Sequence, residues 1–413
     1  MRRRNDSFCL VLAGGGSKGV YHLGVWKALR EMGIEVDAFV GTSIGAVVAG
    51  LLAQDLRENY ESFVDSISLD SIVALPPGFV EEGRLSVGRE AIQDAPELFR
   101  SLIAHQGLDT SPLRGLLEAH IDESKIRASG KDLGIVTVDL SNLRPRQVFL
   151  EDMEEGKVLD YLMASAAFPG FKAPVIDGKK YMDGGVFENI PYDMARKRGY
   201  RRLIVSDIGG LGRNRRVETE GSLTAHIKSS ITMGWVFDFH RDFLKEFRLL
   251  GYLDTLRSFG RLAGYFYFVK PGKTPDLSLA PLPKTMGFPK EMEHERSLLH
   301  KYLECAALVL EIPRIKLYDY QSLFDAIDEK LIEEEGKIEN LVKSGEDRIK
   351  ATVNVLRESV KTGVFNGSPY YNYRMIEELL PASAWEVTKK ALAKIHPELP
   401  AGLYFLEGLG KRD

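Results

Sequence analysis

Three short segments carry residue types that could do chemistry: Gly14-Gly15-Gly16-Ser17-Lys18-Gly19, Gly41-Thr42-Ser43-Ile44-Gly45 and Asp183-Gly184-Gly185. In the first, glycines let the backbone turn several N–H groups toward one point. Such a nest before a helix holds negative charge, either a phosphate or the oxyanion of acyl transfer. Gly14, Gly16 and Gly19 also fit the dinucleotide pattern G-x-G-x-x-G, so this loop alone leaves both readings open. The acidic residue wanted at the end of the second strand is missing, since that strand runs into Gly41-Thr42-Ser43. A Walker A loop is excluded, because Gly19 follows Lys18.

The second segment is G-x-S-x-G between an expected strand and an expected helix, the setting of a nucleophile elbow. The turn would push the Ser43 hydroxyl out at the sheet edge, where the helix N-terminus favours an anion. The plain alternative is a serine that only caps the helix. The third segment, read alone, is a turn. With Ser43 upstream it supplies a carboxylate. None of the eight histidines, His22, His105, His120, His226, His240, His294, His300 and His396, stands in a glycine-flanked or strand-end setting. His22, on the first helix, reads as a packed or surface residue. That leaves a Ser43–Asp183 dyad in which the carboxylate itself takes the proton. No metal or cofactor is called for.

The elements that must position these residues follow from apolar patterning. Residues 8–13 are a short apolar run, read as a strand buried on both faces. Helical spacing covers 18–32, a second strand 36–40 and an almost wholly apolar helix 44–56. This alternation means a parallel sheet. Residues 57–130 read as a helical insertion. Strands return at 133–140, 146–150, within 173–182 and at 202–206, with a helix over 157–167. The core pattern fades across 210–260. A strand at 264–270 and a helix at 292–311 are expected to close the domain at about residue 312. Beyond it, 313–413 reads as a helical region, with long amphipathic helices over 320–361 broken near Ser344-Gly345.

The three segments, in this order, resemble the patatin-like phospholipase family. Ser111-Pro112-Leu113, the Val-Thr-Val-Asp-Leu strand at 136–140 and Ala164-Ser165-Ala166-Ala167-Phe168-Pro169 agree. The resemblance covers roughly 7–310. It implies a three-layer α/β patatin-like fold, with a mostly parallel central sheet flanked by helices and a C-terminal α-helical extension. The domain would span 7–312. It implies a Ser43–Asp183 dyad, an oxyanion hole in the 14–19 loop around Gly15 and Gly16, and Lys18 as that loop's basic residue. The activity implied is hydrolysis of fatty acyl esters of glycerolipids. Phe187, bulkier than its counterparts, is expected to narrow the pocket. A non-catalytic acyl-chain-binding scaffold and a nucleotide-dependent oxidoreductase are the rival readings.

Composition sets the setting. The 413 residues are 44% hydrophobic and 28% charged, with net charge −4, which argues against a general grip on nucleic acid. Cys9 and Cys305 read as buried apolar residues, with no disulfide framework or zinc site. The apolar run after MRRRNDS ends at Gly14, too short for a signal peptide, and no run is long enough to span a membrane. A cytoplasmic protein with at most peripheral membrane contact is expected. Residues 235–253 place Trp235, Phe239, Phe243, Phe247 and Leu250 on one helical face beside Arg241, Lys245 and Arg248. Core packing is the favoured use of that face, a bilayer surface the alternative. The 320–361 helices read as a packing or dimerising extension, the route to a homo-oligomer.

Overall fold

The computed structural model describes residues 6–54, 60–74, 80–81, 84–85, 107–213, 220–232, 234–274, 288–292, 297–344, 349–350, 352–354, 359, 367–379 and 382–409. It divides into two compact units, Met1–Ser258 and Phe259–Asp413.

The strands of the first unit are β1 (Phe8–Leu12), β2 (Val36–Thr42), β3 (Val80–Glu81), β4 (Arg84–Leu85), β5 (Asp132–Asp139), β6 (Arg144–Phe149), β7 (Val175–Ile176), β8 (Lys179–Asp183), β9 (Arg202–Asp207) and β10 (Leu223–Lys228). Its helices are α1 (Val20–Glu31), α2 (Ile44–Ala53), α3 (Tyr60–Ser66), α4 (Ser111–His120), α5 (Glu123–Ala128), α6 (Val158–Ser165), α7 (Tyr192–Lys197) and α8 (Arg241–Ser258). One sheet runs β10-β9-β1-β2-β5-β8-β7, with β6 also on β5. From β10 to β5 the pairs are parallel; β6, β7 and β8 join antiparallel. This is the expected three-layer α/β arrangement of a mostly parallel sheet flanked by helices. The apolar runs of β1 and β2 are buried on both faces, as strands between helical layers must be. α2 is apolar all round and buried along nearly its whole length.

The register of β5 brings two strand ends together. On one edge Val136 pairs with Thr42, the last residue of β2. The next residue, Thr137, pairs with Asp183, the last residue of β8. β8 takes up the edge of β5 where β2 leaves it, so the ends of two strands distant in sequence lie side by side.

Some expectations shift. The helix expected over 235–253 begins only at Arg241 and ends at Ser258. Phe243, Phe247 and Leu250 face inward, as the core reading anticipates, but Trp235 lies outside the helix and is exposed. α8 packs on α1 at a glycine crossing: a Cβ on Gly24 would strike Arg248 O, and one on Gly251 would strike Tyr21 O. β10 falls where the core pattern fades. It is an edge strand with Ile227 as its one fully buried side chain, so it lacks an apolar signature. Of the helical insertion over 57–130, the described residues hold α3, the β3–β4 pair, α4 and α5; residues 86–106 lie outside them.

The second unit holds β11 (Phe268–Val269), β12 (Leu317–Tyr318), α9 (Leu298–Val309), α10 (Tyr320–Val342), α11 (Pro369–Leu379), α12 (Ala382–Ile395) and α13 (Leu399–Leu409). Tyr267, Tyr302, Tyr318, Leu323, Ile376 and Phe405 are among its buried core. The strand and helix expected to close the first domain instead belong here. β11 pairs with β12, and Gly402 of α13 lies against Cys305 O of α9. The division therefore falls after Ser258 rather than near 312. The break expected near Ser344 is present as the end of α10 at Val342. The Glu304 carboxylate accepts the N–H groups of Tyr265, Phe266 and Tyr267, tying that turn to α9. Cys9 and Cys305 are buried and free. Among the described residues no helix is long and apolar enough to cross a membrane.

Candidate active site

Ser43 links β2 to α2 in a conformation rare outside glycine, φ 57° and ψ −130°. Such backbone persists only where neighbours over-determine it. A Cβ on Gly41 would fall on Gly45 O, and one on Gly45 on Leu12 O, so the turn and helix sit directly on β1. Thr42 Oγ1 donates to Glu188 O at 3.0 Å. The Ser43 N–H donates to Ser165 Oγ at 2.9 Å, and that hydroxyl donates to Val136 O at 2.6 Å. The Ser43 hydroxyl makes no cap to α2. It donates instead to Asp183 Oδ2 at 2.6 Å.

Asp183 is buried, and its other oxygen accepts the Gly185 N–H at 2.7 Å. Burial pushes its carboxyl up to about 6, against the opposing effects of the Ser43 hydroxyl and the Gly185 amide. The β5 register explains how the pair meets across 140 residues of sequence. Thr137 Oγ1 adds a bond to Met182 O at 2.7 Å, fixing the end of β8.

The glycine loop turns from β1 into a short 3-10 segment, Gly16–Gly19, before α1. The Gly14 N–H donates to Asn189 O and the Ser17 N–H to Val236 O, so these two amides are engaged. Gly15 and Gly16 line the same pocket as Ser43 and Asp183. Gly14 backs on the elbow, its ideal Cβ position lying 3.1 Å from Ser43 Cβ. Gly19 packs on Ile44, and Lys18 is buried off the pocket wall, its ammonium pKa lowered by burial. Gly184 lies against Val136 O, holding the acid loop to β5.

The pocket encloses about 1140 Å3, its open mouth included. From Ser43 it runs between Val47, Val48, Phe63, Ile67, Leu113 and Leu116, an apolar wall contributed by α2, α3 and α4. Phe168, Phe171 and Phe237 line it as a cluster, Phe168 edge to face with the other two and Phe171 tilted on Phe237, with centroids 5.4 to 6.4 Å apart. Phe187, expected to narrow the pocket, does not line it; Val186 does, because the short 3-10 turn after Asp183 directs Val186 there.

His22 is fully buried off this pocket. Its Nε2 lies 2.9 Å from Ala13 O and must carry a proton to donate there, so Nδ1, 2.7 Å from Ser206 Oγ, accepts. Burial lowers its pKa to about 4. It clamps the ends of β1 and β9 as a neutral ring. Two contributors were harder to foresee. Ser165 lies in the Ala164–Pro169 stretch but carried no signal of its own beyond the motif. Asn189 is wholly buried between Gly14, Gly185 and Gly212, and neither end of its carboxamide has a partner among the described residues. Among those residues there is no cluster of ligands suited to a metal ion.

Residues 10–196 match the family model described as Patatin-like phospholipase. Patatin-like phospholipase domain-containing protein 6 of Mus musculus is 28% identical over 210 residues, 49% of this chain and 14% of that protein. Lysophospholipase NTE1 of Candida albicans is 28% identical over 210 residues, 50% of this chain and 13% of that protein. The chain thus spans only a small part of the length of these relatives. Among solved structures it is similar to VipD from Legionella pneumophila, with a TM-score of 0.34 and 12% identity over 97% of this chain and 90% of that one.

Proposed function

With residues 10–196 belonging to the patatin-like phospholipase family, we propose that this chain hydrolyses fatty acyl esters of glycerolipids through a Ser43–Asp183 dyad. The observation that carries the reading is the 2.6 Å contact from Ser43 Oγ to Asp183 Oδ2 at the base of an apolar pocket. The lysophospholipase name of one set of relatives supports the substrate class.

In this reading Ser43 Oγ attacks the ester carbonyl and its proton passes to Asp183 Oδ2. The negative oxygen formed is held by the Gly15 and Gly16 amides, a type of contact worth about 2.7–4 kcal/mol of barrier per donor. Collapse expels the glyceryl alkoxide, which takes the proton from Asp183, and leaves the acyl group on Ser43. Water then attacks the acyl-enzyme, gives a proton to Asp183, and the fatty acid leaves as Ser43 recovers its hydrogen. A carboxyl raised to about 6 is a stronger base than an exposed aspartate, which suits a site without imidazole. The Gly185 N–H on Oδ1 leaves Oδ2 for the proton.

A fluorophosphonate probe tests the reading. Covalent labelling of the folded protein at Ser43, lost in Ser43→Ala together with ester hydrolysis, is the expected result. Hydrolysis that survives Ser43→Ala refutes it.

A further inference from the structure

We propose that the rim of the pocket is a lipid-docking collar, in which Trp235, Leu211 and Val186 enter the surface of a membrane or micelle and set the pocket mouth against it. The inference rests on the acyl-hydrolase reading and adds how that site meets its substrate.

Val186, Leu211 and Trp235 are 51%, 59% and 56% exposed. Single exposed apolar residues are ordinary on any protein. These three differ in place. Val186 and Leu211 are themselves part of the pocket lining, and the Trp235 ring packs at 5.5 Å on Phe237, which also lines it. Phe237 in turn meets Phe168 and Phe171. Apolar surface therefore runs without interruption from the Ser43 pocket outward to solvent. A tryptophan half in and half out of apolar surroundings suits the headgroup level of a bilayer.

The charges beside the collar fit the same occupant. Lys172 follows the lining residue Phe171, and Arg213 follows the lining residue Gly212; both side chains are exposed. Asp109, close enough to Lys172 to feel its charge, and Asp238, in the turn that Trp235 opens, balance these cations, so Lys172 and Arg213 act as single contacts on a rim without net charge. Two such cations reach lipid phosphates while the apolar collar enters between headgroups. α8, the segment that sequence patterning offered for this task, has its aromatic face buried against α1, with Tyr21 and Phe247 5.4 Å apart. The docking surface is thus the loop that precedes the helix.

The gain is kinetic. A long acyl chain crossing water is disfavoured about fourfold in concentration for each methylene exposed. A mouth sealed on the lipid surface lets the chain pass from bilayer to pocket without that exposure.

The test uses the full chain carrying Ser43→Ala, so that vesicles are not consumed. Vesicles of phosphatidylcholine with phosphatidylglycerol are titrated in, reading co-sedimentation and tryptophan emission. Binding with a blue shift is expected; Trp26 is buried, and the half-buried Trp385 of the second unit is replaced by Phe in every variant, so that the shift reports Trp235. Adding Trp235→Asp and Lys172→Glu should weaken vesicle binding about tenfold or more and abolish the shift. With Ser43 intact, the same two substitutions should lower hydrolysis of vesicular lipid while leaving a short soluble ester unaffected. Vesicle binding unchanged by these substitutions overturns the proposal, as does failure of the parent to bind. Self-association abolished by Trp235→Asp, in place of vesicle binding, also overturns it and assigns the collar to a second copy. Loss of soluble-ester hydrolysis in the unsubstituted protein would instead refute the acyl-hydrolase reading, and the vesicle titration reports separately.

Discussion

Replacing Asp183 by Asn should abolish ester hydrolysis and at the same time stabilise the protein at neutral pH. The buried carboxyl is pushed from 3.8 up to about 6, so the folded state holds its proton more tightly than the unfolded chain does. Stability therefore falls as pH rises through the window from about 4 to 6 and stays reduced above it. That rise in pKa corresponds to a cost of about 3 kcal/mol for an ionised Asp183 at pH 7.5. Asparagine keeps both contacts: Oδ1 can accept the Gly185 N–H, and Nδ2 can donate to Ser43 Oγ. Part of the gain is offset by burying the amide, leaving about 1–3 kcal/mol net. For a unit of this size that is a rise of several degrees in Tm. Thermal and urea unfolding of both proteins at a series of pH values is the assay. The gap between variant and parent should open between about pH 4 and 6 and be flat above. A variant less stable than its parent at pH 7.5, or a gap independent of pH, would show that the aspartate is not held at a cost, and the argument for its raised basicity would fall.

Other expectations rest on the same contacts. The kcat/KM of the parent for a soluble ester should decline as pH falls through about 6, where Asp183 takes up its proton, and activity that stays constant down to pH 4 would point to a base other than Asp183. His22, neutral with its pKa lowered to about 4, adds no limb near 6.5. Ser165→Ala removes the acceptor of the Ser43 N–H, and kcat should drop about tenfold while unfolding shifts by about 1 kcal/mol; unaltered kcat would mean the elbow is held without it. Gly251→Val forces a side chain into Tyr21 O across the α1–α8 crossing and should cost about 1–3 kcal/mol or more in urea unfolding; an unchanged midpoint would show that the helices can part freely.

What could be read from sequence was what is written locally. The apolar runs of β1 and β2, the apolar helix α2 and the glycine-bracketed serine each follow from a few adjacent residues, and the first unit has the layered architecture they imply. β10 escaped because an edge strand with one buried side chain has little apolar pattern to detect. Trp235 was placed on a helix because Phe239, Phe243 and Phe247 share its spacing, yet the helix begins only at Arg241. Periodicity reports a face and not where the face starts. The two compact units divide after Ser258, ahead of the expected 312, for a related reason. Phe268 and Val269 read as a strand of the main sheet, but strand partners are chosen in space, and theirs are Leu317 and Tyr318. At the candidate site the two side chains that meet, Ser43 and Asp183, stand in motifs that sequence displays. The contacts that hold them are not legible there: Ser165, Thr137 and the Glu188 carbonyl act through positions only the folded chain reveals.

One peptide unit of β5, between Val136 and Thr137, has a consequence for how such a protein can vary. It is the ruler against which hydroxyl and carboxylate are both measured. The excursion of chain between α2 and β5 can lengthen, shorten or exchange its helices without altering their spacing, provided that β5 and the end of α6 that carries Ser165 are left whole. A single residue inserted into β5 at that point would separate the Ser43 hydroxyl from the Asp183 carboxylate more surely than rebuilding either loop.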